Sequence, residues 1–171
     1  MTAVNHLPKQ DIANSPTGCC PKFDPTGWDN VTFAFKKKPF VKVATRSFIH
    51  MPLNMGAVFA KTQAKIQAAK AGMGDEYLVL SEEISPWKAY HFFAVSKEVP
   101  GMDIAYLTGD YYAQVFEGAF SNARKWHDSL VENVKAMGHR SDVQYFFYTT
   151  CPRCAKVYGK NYVVGLARLD G

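Results

Sequence analysis

The sequence predicts an α+β fold: two tandem strand–helix–strand–strand units forming one domain. Three observations predict it. Two segments carry apolar residues at three- and four-residue steps, Met55, Val58, Phe59, Thr62, Ile66 and Ala69 in one, Ala119, Ala123, Trp126, Leu130, Val134 and Met137 in the other; that spacing puts each set on one helical face. Runs rich in aromatic and β-branched residues, which suit a pleated surface, flank both helices. An offset of 68 residues carries Tyr77–Ser81 onto Tyr145–Thr149 and Ser47–His50 onto Val115–Gly118. The closing strands differ by 71, His91 matching Tyr162, so the second half holds three extra residues in its hairpin loop, where Cys151-Pro152-Arg153-Cys154 lies.

In chain order, residues 1–30 are rich in Pro, Asn, Asp, Thr and Gly without a period and read as an irregular arm, with Trp28 and Phe23 as its anchors. Val31–Phe35 is a first short strand that turns at Lys36-Lys37-Lys38, and Phe40–Ile49 is a second, followed by the turn His50-Met51-Pro52. The first helix closes at Gly72 and Gly74. Strands Tyr77–Ser81 and Lys88–Ser96 are separated by Ser85-Pro86-Trp87; Val99-Pro100-Gly101 links the halves. Met102–Leu107 leads into the strand Tyr111–Phe116, the turn Glu117-Gly118 and the second helix, which Gly138 stops. Gln144–Thr149 and Asn161–Leu169 end the chain as a strand pair. The predicted organisation is thus an arm over 1–30 and one body over 31–171, with pseudo-repeats at about 40–97 and 105–169.

A chain of 171 residues with 47% hydrophobic and 20% charged residues has enough apolar surface to bury a core. Its net charge of +5 comes with no basic stripe along a helix, so nucleic acid is not an expected partner. No segment reaches the roughly 18 apolar residues of a membrane span, and residues 1–18 lack the apolar run of a signal peptide. The expectation is a cytoplasmic protein with a small-molecule ligand and no membrane partner, whose four cysteines are reduced, metal-bound or catalytic rather than a disulfide frame.

Several residues carry candidate chemistry. Glu117 ends a strand in an aromatic setting, where burial raises a carboxyl pKa and suits it to acid–base work or cation recognition; a solvated carboxylate at the start of the second helix is the alternative. Arg46, Phe48 and His50 alternate on one strand and so share a face, a cationic fork and an imidazole beside an aromatic ring, fit to grip an acidic or carbonyl-bearing ligand. Trp87 in the first hairpin loop reads as a cleft wall, whereas Trp126 belongs to the core stripe. Among the tyrosines, Tyr111, Tyr112, Tyr145 and Tyr148 divide between helix-facing and open sides of the sheet. Glu82 and Glu83 are neighbours on a strand and cannot supply paired-carboxylate chemistry. No Gly-rich phosphate loop, H-E-x-x-H helix or G-x-S-x-G elbow is present, and no triad spacing.

Cys151-x-x-Cys154 has the spacing that lets two thiolates of one turn hold a metal, and Cys19-Cys20 completes a candidate four-sulfur zinc site tying the arm to the second hairpin. A redox pair and four idle thiols are the alternatives. Redox motifs usually open a helix, and here the pair reads as joining two strands.

The stretch FFAVSKEVPGMDIAYLTGDYYAQVFEGAFSNARKWHDSLVENVKAM, Phe92–Met137, together with the duplicated unit, resembles the GyrI-like small-molecule-binding superfamily over about residues 40–169. The strings TGCCPKFDP, TRSFIHMPLN, VFEG and YTTCPRCAKVYGKNYVV are similar to a bacterial branch whose members are called hydrolases. The resemblance implies two related modules packed into one body, with a ligand cleft between them and the helices on the outer side. Members of the superfamily bind drugs in regulators, bind haem, or hydrolyse strained electrophilic natural products. The leading expectation is therefore a protein that binds a small, partly aromatic organic molecule and hydrolyses it, with Glu117 or another acid activating water and a tyrosine such as Tyr148 donating a proton; Arg46, Phe48, His50, Trp87 and Tyr111 would line the ligand. A non-catalytic drug- or haem-sequestering or sensor module, and a zinc-stabilised interaction domain, are the competing readings.

Overall fold

The structure is a computed structural model that describes residues 3–170. The fold is α+β, with seven strands and three helices among the described residues: β1 (Val31–Phe48), β2 (Met51–Pro52), α1 (Met55–Ala68), β3 (Val79–Ser85), β4 (Lys88–Ala94), β5 (Ile104–Glu117), α2 (Ala123–Ala136), β6 (Gln144–Tyr148), α3 (Pro152–Tyr158) and β7 (Tyr162–Arg168). The chain divides into two compact units: one holds the residues up to Lys36 and from Thr108 onward, the other Lys37–Leu107. The chain passes from one unit to the other within β1 and within β5.

In the unit Lys37–Leu107, the strands run in the order β2-β1-β4-β3, antiparallel throughout, with Phe40 opposite Ala94 and Val79 opposite Phe93. Period-two alternation sends Val41, Val43, Phe93 and Val79 to one face, where Ile66 and Phe59 of α1 cover them. His91 is buried on that face, its ring 4.9 Å from Phe59. It bonds Thr45 Oγ1 through Nε2 and Ser81 Oγ through Nδ1, both at 2.8 Å. Burial pushes its pKa down to about 4, because a charged imidazole there would lose its hydration.

The other unit orders its strands β6-β7-β5, again antiparallel, with Tyr111 opposite Arg168 and Tyr148 opposite Val163. The amphipathic face of α2 buries Trp126, Leu130 and Val134 against Phe116, Val163 and Ala167, as the spacing predicts. Gly165 makes this approach feasible: a Cβ there would stand 2.9 Å from Leu130 Cδ2 and 3.1 Å from the Phe116 ring. The arm joins this unit through backbone and aromatic contacts. Val4 forms a parallel bridge with Phe33, and Trp28, fully buried, packs its ring on Phe33, Phe147 and Phe23.

Three boundaries differ from expectation. Lys36–Lys38 is not a hairpin tip, since β1 runs through it, absorbing a left-handed Lys37 (φ 47°). Met102–Leu107 and Tyr111–Phe116 are one strand, β5. The second hairpin loop contains the helix α3, with Pro152 at its first position and left-handed Gly159 (φ 72°) at its end, the usual asymmetry of helix signals.

Candidate functional site

The four cysteines come together. Cys151 caps α3 and Cys154 sits in its first turn, while Cys19 and Cys20 arrive from the arm. All four Sγ atoms lie within 4.8 Å of one another, and those of Cys19 and Cys20 are 3.8 Å apart. A tetrahedral metal with bonds of about 2.3 Å needs sulfurs roughly 3.8 Å apart, so the set is close to ligand geometry. Backbone N–H groups already point at the sulfurs: Cys154 N–H at Cys151 Sγ and Cys151 N–H at Cys20 Sγ, both 3.4 Å. Thr17 Oγ1 lies 3.2 Å from Cys154 Sγ and 2.9 Å from the Tyr158 hydroxyl, which donates to the Cys20 carbonyl. Such outer contacts orient ligands and favour thiolates.

The electrostatics of the cluster are uneven. The Thr17 hydrogen bond, more than any other influence, pulls the Cys154 thiol down to about 6. Burial pushes Cys20 well up. Cys19 is lowered by its contact with Cys20 but raised on balance by Cys154 and burial. Four thiolates at this spacing repel one another unless a cation sits between them, and soft sulfur donors select zinc-like or other thiophilic metals. The expectation that Cys151 and Cys154 merely join two strands is corrected: the pair opens α3, so the topological argument against a redox pair falls away. Two further sulfurs at contact distance are what a redox pair does not require.

In the unit Lys37–Leu107, the end formed by residues 46–54 and the β3–β4 turn carries a different group. The strand β1 stops at Phe48, and Ile49 (φ 46°) and His50 (φ 67°) are both left-handed. For a β-branched residue this is an outlier that costs on the order of 1–3 kcal/mol. The alternation that would place Arg46 and His50 on one strand face therefore breaks before His50, which corrects that expectation. Ser47 N–H bonds the Trp87 carbonyl (2.8 Å), His50 N–H the Pro86 carbonyl (2.9 Å) and Arg46 N–H the Asn54 side chain (2.8 Å), so loop and turn form one surface. On it the His50 Nδ1 meets the Glu83 carboxylate, and Phe48 and Trp87 make a T-shaped pair with centroids 5.6 Å apart. Six large apolar side chains are exposed here: Phe48, Ile49, Met51, Leu53, Ile84 and Trp87, at 46–69%. Arg46 and Lys88 supply cations at the same end.

The remaining candidates stand in the other unit. Glu117 is about half exposed and lies 4.0 Å from Lys160 Nζ, so the buried setting expected for it is absent. It lines an open groove of about 440 Å³ with Pro25, Gly27, Asp29 and Tyr162. Tyr148 is 39% exposed, its ring near Phe120 and Phe146. Tyr111 is 1% exposed between the rings of Phe35 and Tyr145; burial raises its phenol, and its packing in the core removes it from any ligand surface. Sequence reasoning missed Glu83 as the partner of His50, dismissing it because carboxylate pairing was the only chemistry considered. It also missed Thr17 and Tyr158 behind the sulfurs.

A family model described as bacterial hydrolase matches residues 10–169. Among solved structures, an uncharacterized conserved protein from Listeria innocua has a TM-score of 0.60 at 12% identity, covering 84% of this chain and 94% of its own. A hydrolase from the same organism, encoded by lin2189, has a TM-score of 0.59 at 10% identity, with 85% and 94% covered. SAV2435, solved bound to tetraphenylphosphonium, has a TM-score of 0.52 at 10% identity, with 82% and 93% covered. At these identities the likeness is one of fold. No curated protein matches the chain. Among the described residues no helix is long and apolar enough to cross a membrane.

Proposed function

The chain belongs to the bacterial hydrolase family, and from that premise we propose that it binds a small, partly aromatic organic molecule and hydrolyses it, in a cytoplasmic setting and within the GyrI-like superfamily. The observation that carries the reading is the exposed apolar end around Phe48 and Trp87. Proteins in water seldom leave so many large apolar side chains exposed at one end without a use for them. Two aromatic rings inclined at 61° offer a face and an edge to an aromatic ligand, and Arg46 and His50 add polar contacts that orient it. The tetraphenylphosphonium held by SAV2435 is a ligand of this kind, an aromatic ion with an apolar exterior. Glu117, in the open groove of its own unit, is the alternative seat of proton transfer, with Tyr148 as its candidate acid.

The four sulfurs hold a structural zinc in this reading. All four ligand positions of a tetrahedral ion are filled by protein, leaving none for substrate, so the metal's part is to fasten the arm. Hydrolysis falls to side chains.

Three tryptophans are present, and Trp28 and Trp126 are buried, so Trp87 is the exposed fluorophore. Titrating tetraphenylphosphonium and phenyl esters should quench it saturably, with product released from the esters. Trp87→Ser should weaken binding tenfold or more. Binding without product would make the protein a sequestering module, and no binding by any compound would end the small-molecule reading.

A further inference from the structure

We propose that His50 and Glu83 form the water-activating dyad of this protein: Glu83 positions the imidazole and His50 is the general base that attacks an acyl substrate through water. The inference rests on the hydrolytic reading above and assigns its chemistry to residues of one unit. His50 Nδ1 is in contact with a carboxylate oxygen of Glu83; in the proposed dyad the hydrogen sits on Nδ1, which fixes the tautomer and leaves Nε2 with its lone pair. That nitrogen belongs to an exposed side chain, beside a surface of Phe48, Trp87 and Leu53 that suits the body of an aryl ester. The consecutive left-handed residues Ile49 and His50 are what turn the ring back toward β3; strain of this sort concentrates where a side chain must be aimed. The β-bulge between Glu83 and Ser85 shifts the register of β3 just where Glu83 meets it, and bulges serve to re-aim side chains next to active sites.

The step balances without a cofactor. Nε2 takes one proton from water as the water oxygen bonds to the acyl carbon. The tetrahedral species then expels the alkoxy or aryloxy group, and the imidazolium returns the proton to that leaving oxygen. Acid and alcohol are the products. Arg46 and Lys88 are the cations at this end, and each is a source of compensation for the oxyanion charge.

Two measurements test it, both on the full chain with its metal. Long-range ¹H–¹⁵N correlation on His50, identified by its loss in His50→Gln, should show the Nδ1–H tautomer, shifting toward Nε2–H in Glu83→Gln. Hydrolysis of phenyl acetate and 2-naphthyl acetate should fall about a hundredfold or more in His50→Gln, and about tenfold in Glu83→Gln. The loss should lie chiefly in kcat and exceed any fall in ligand affinity that follows from losing the His50 contact. Turnover retained by His50→Gln but lost in Glu117→Gln would overturn the dyad and leave the hydrolase standing. A wild type that binds these esters without cleaving them would overturn the hydrolytic reading, and the dyad with it as a base. An Nε2–H tautomer in wild type would overturn the pairing whatever the kinetics. His50 and Glu83 are both more than half exposed, so neither variant removes core packing.

Discussion

The cysteine end of one unit and the apolar end of the other are both made of irregular backbone, and they meet the problem of unsupported chain in opposite ways. Among the described residues the arm has no helix or strand of its own before β1, apart from the bridge of Val4 to Phe33. It is held by Trp28 in the aromatic core, by Asp29 accepting from Val115 N–H at 2.8 Å, by Asn30 accepting from the Tyr112 hydroxyl, and by sulfurs at contact distance. The loop 46–54 has hydrogen bonds to its neighbours but almost no burial, and it turns its apolar side chains outward. Irregular backbone that closes a core spends its side chains on anchoring, while backbone that meets a ligand keeps them free. The two ends should therefore respond oppositely to perturbation: large losses of stability at the first, losses of binding and turnover at the second.

The largest expected effect is at the sulfurs. Protein purified without chelator should carry about one zinc per chain, and removing it, or making Cys154→Ser, should cost on the order of 5 kcal/mol. That is roughly a 10–20 °C fall in Tm for a chain of this size, read by thermal unfolding beside elemental metal determination. A metal-free protein with an unchanged melting curve would mean that Trp28 and its neighbours hold the arm alone and the sulfurs are idle. Because ligand thiols must lose their protons, zinc should also be released as pH falls.

Within the cores the effect is smaller and independent of metal. Trp126 is 7% exposed and stacks on Phe116 with centroids 5.8 Å apart, so Trp126→Ala should cost about 3–5 kcal/mol by denaturant unfolding. His91 tests the other unit through pH. Its folded pKa, about 4, lies below the ordinary 6.5, so the unfolded chain takes up the proton first. The associated stability is fully present above pH 6.5 and is lost as pH falls toward 4, by about 3 kcal/mol in all. His91→Gln should flatten that part of the stability–pH curve; an equal slope in the variant would move the cause elsewhere.

The contrast between the two ends also explains what could be read in advance. Repeating apolar steps made both long helices legible, and Trp126, Leu130 and Val134 are buried as that periodicity requires. The α+β class followed from the same patterns. The cysteine cluster was legible because Cys151-x-x-Cys154 and the adjacent Cys19-Cys20 pair make a candidate four-sulfur set, though α3 was not recognised despite Pro152 and Gly159 marking its ends. Strand limits were poorer: charge at Lys36–Lys38 looked like a turn, yet β1 runs through it with Lys37 in the left-handed region. The His50–Glu83 contact was beyond reach, since it depends on two left-handed residues and a bulge that no propensity announces. Tyr111 was misassigned for a related reason: adjacent tyrosines on a strand point to opposite faces, and here both faces are packed, so Tyr111 and Tyr112 are both buried.

The smallest effect on stability should come from the exposed end, and its smallness is the sharpest test of the comparison. Trp87 is 54% exposed, and its chief ring contact is Phe48, itself 56% exposed. Surface substitutions away from anchoring features usually stay within about 0.5 kcal/mol, so Trp87→Ser should leave the unfolding midpoint nearly unchanged. Removing an exposed aromatic should even raise solubility at high concentration. The same change should weaken ligand binding tenfold or more, because a ligand that covers the ring gains the area that folding leaves in water. A loss of several kcal/mol in folding would show instead that the ring is structural and that this end, like the arm, is built to be closed. Unchanged folding together with unchanged affinity would move the ligand to the groove of Glu117, whose Glu117→Gln variant would then take the loss of binding.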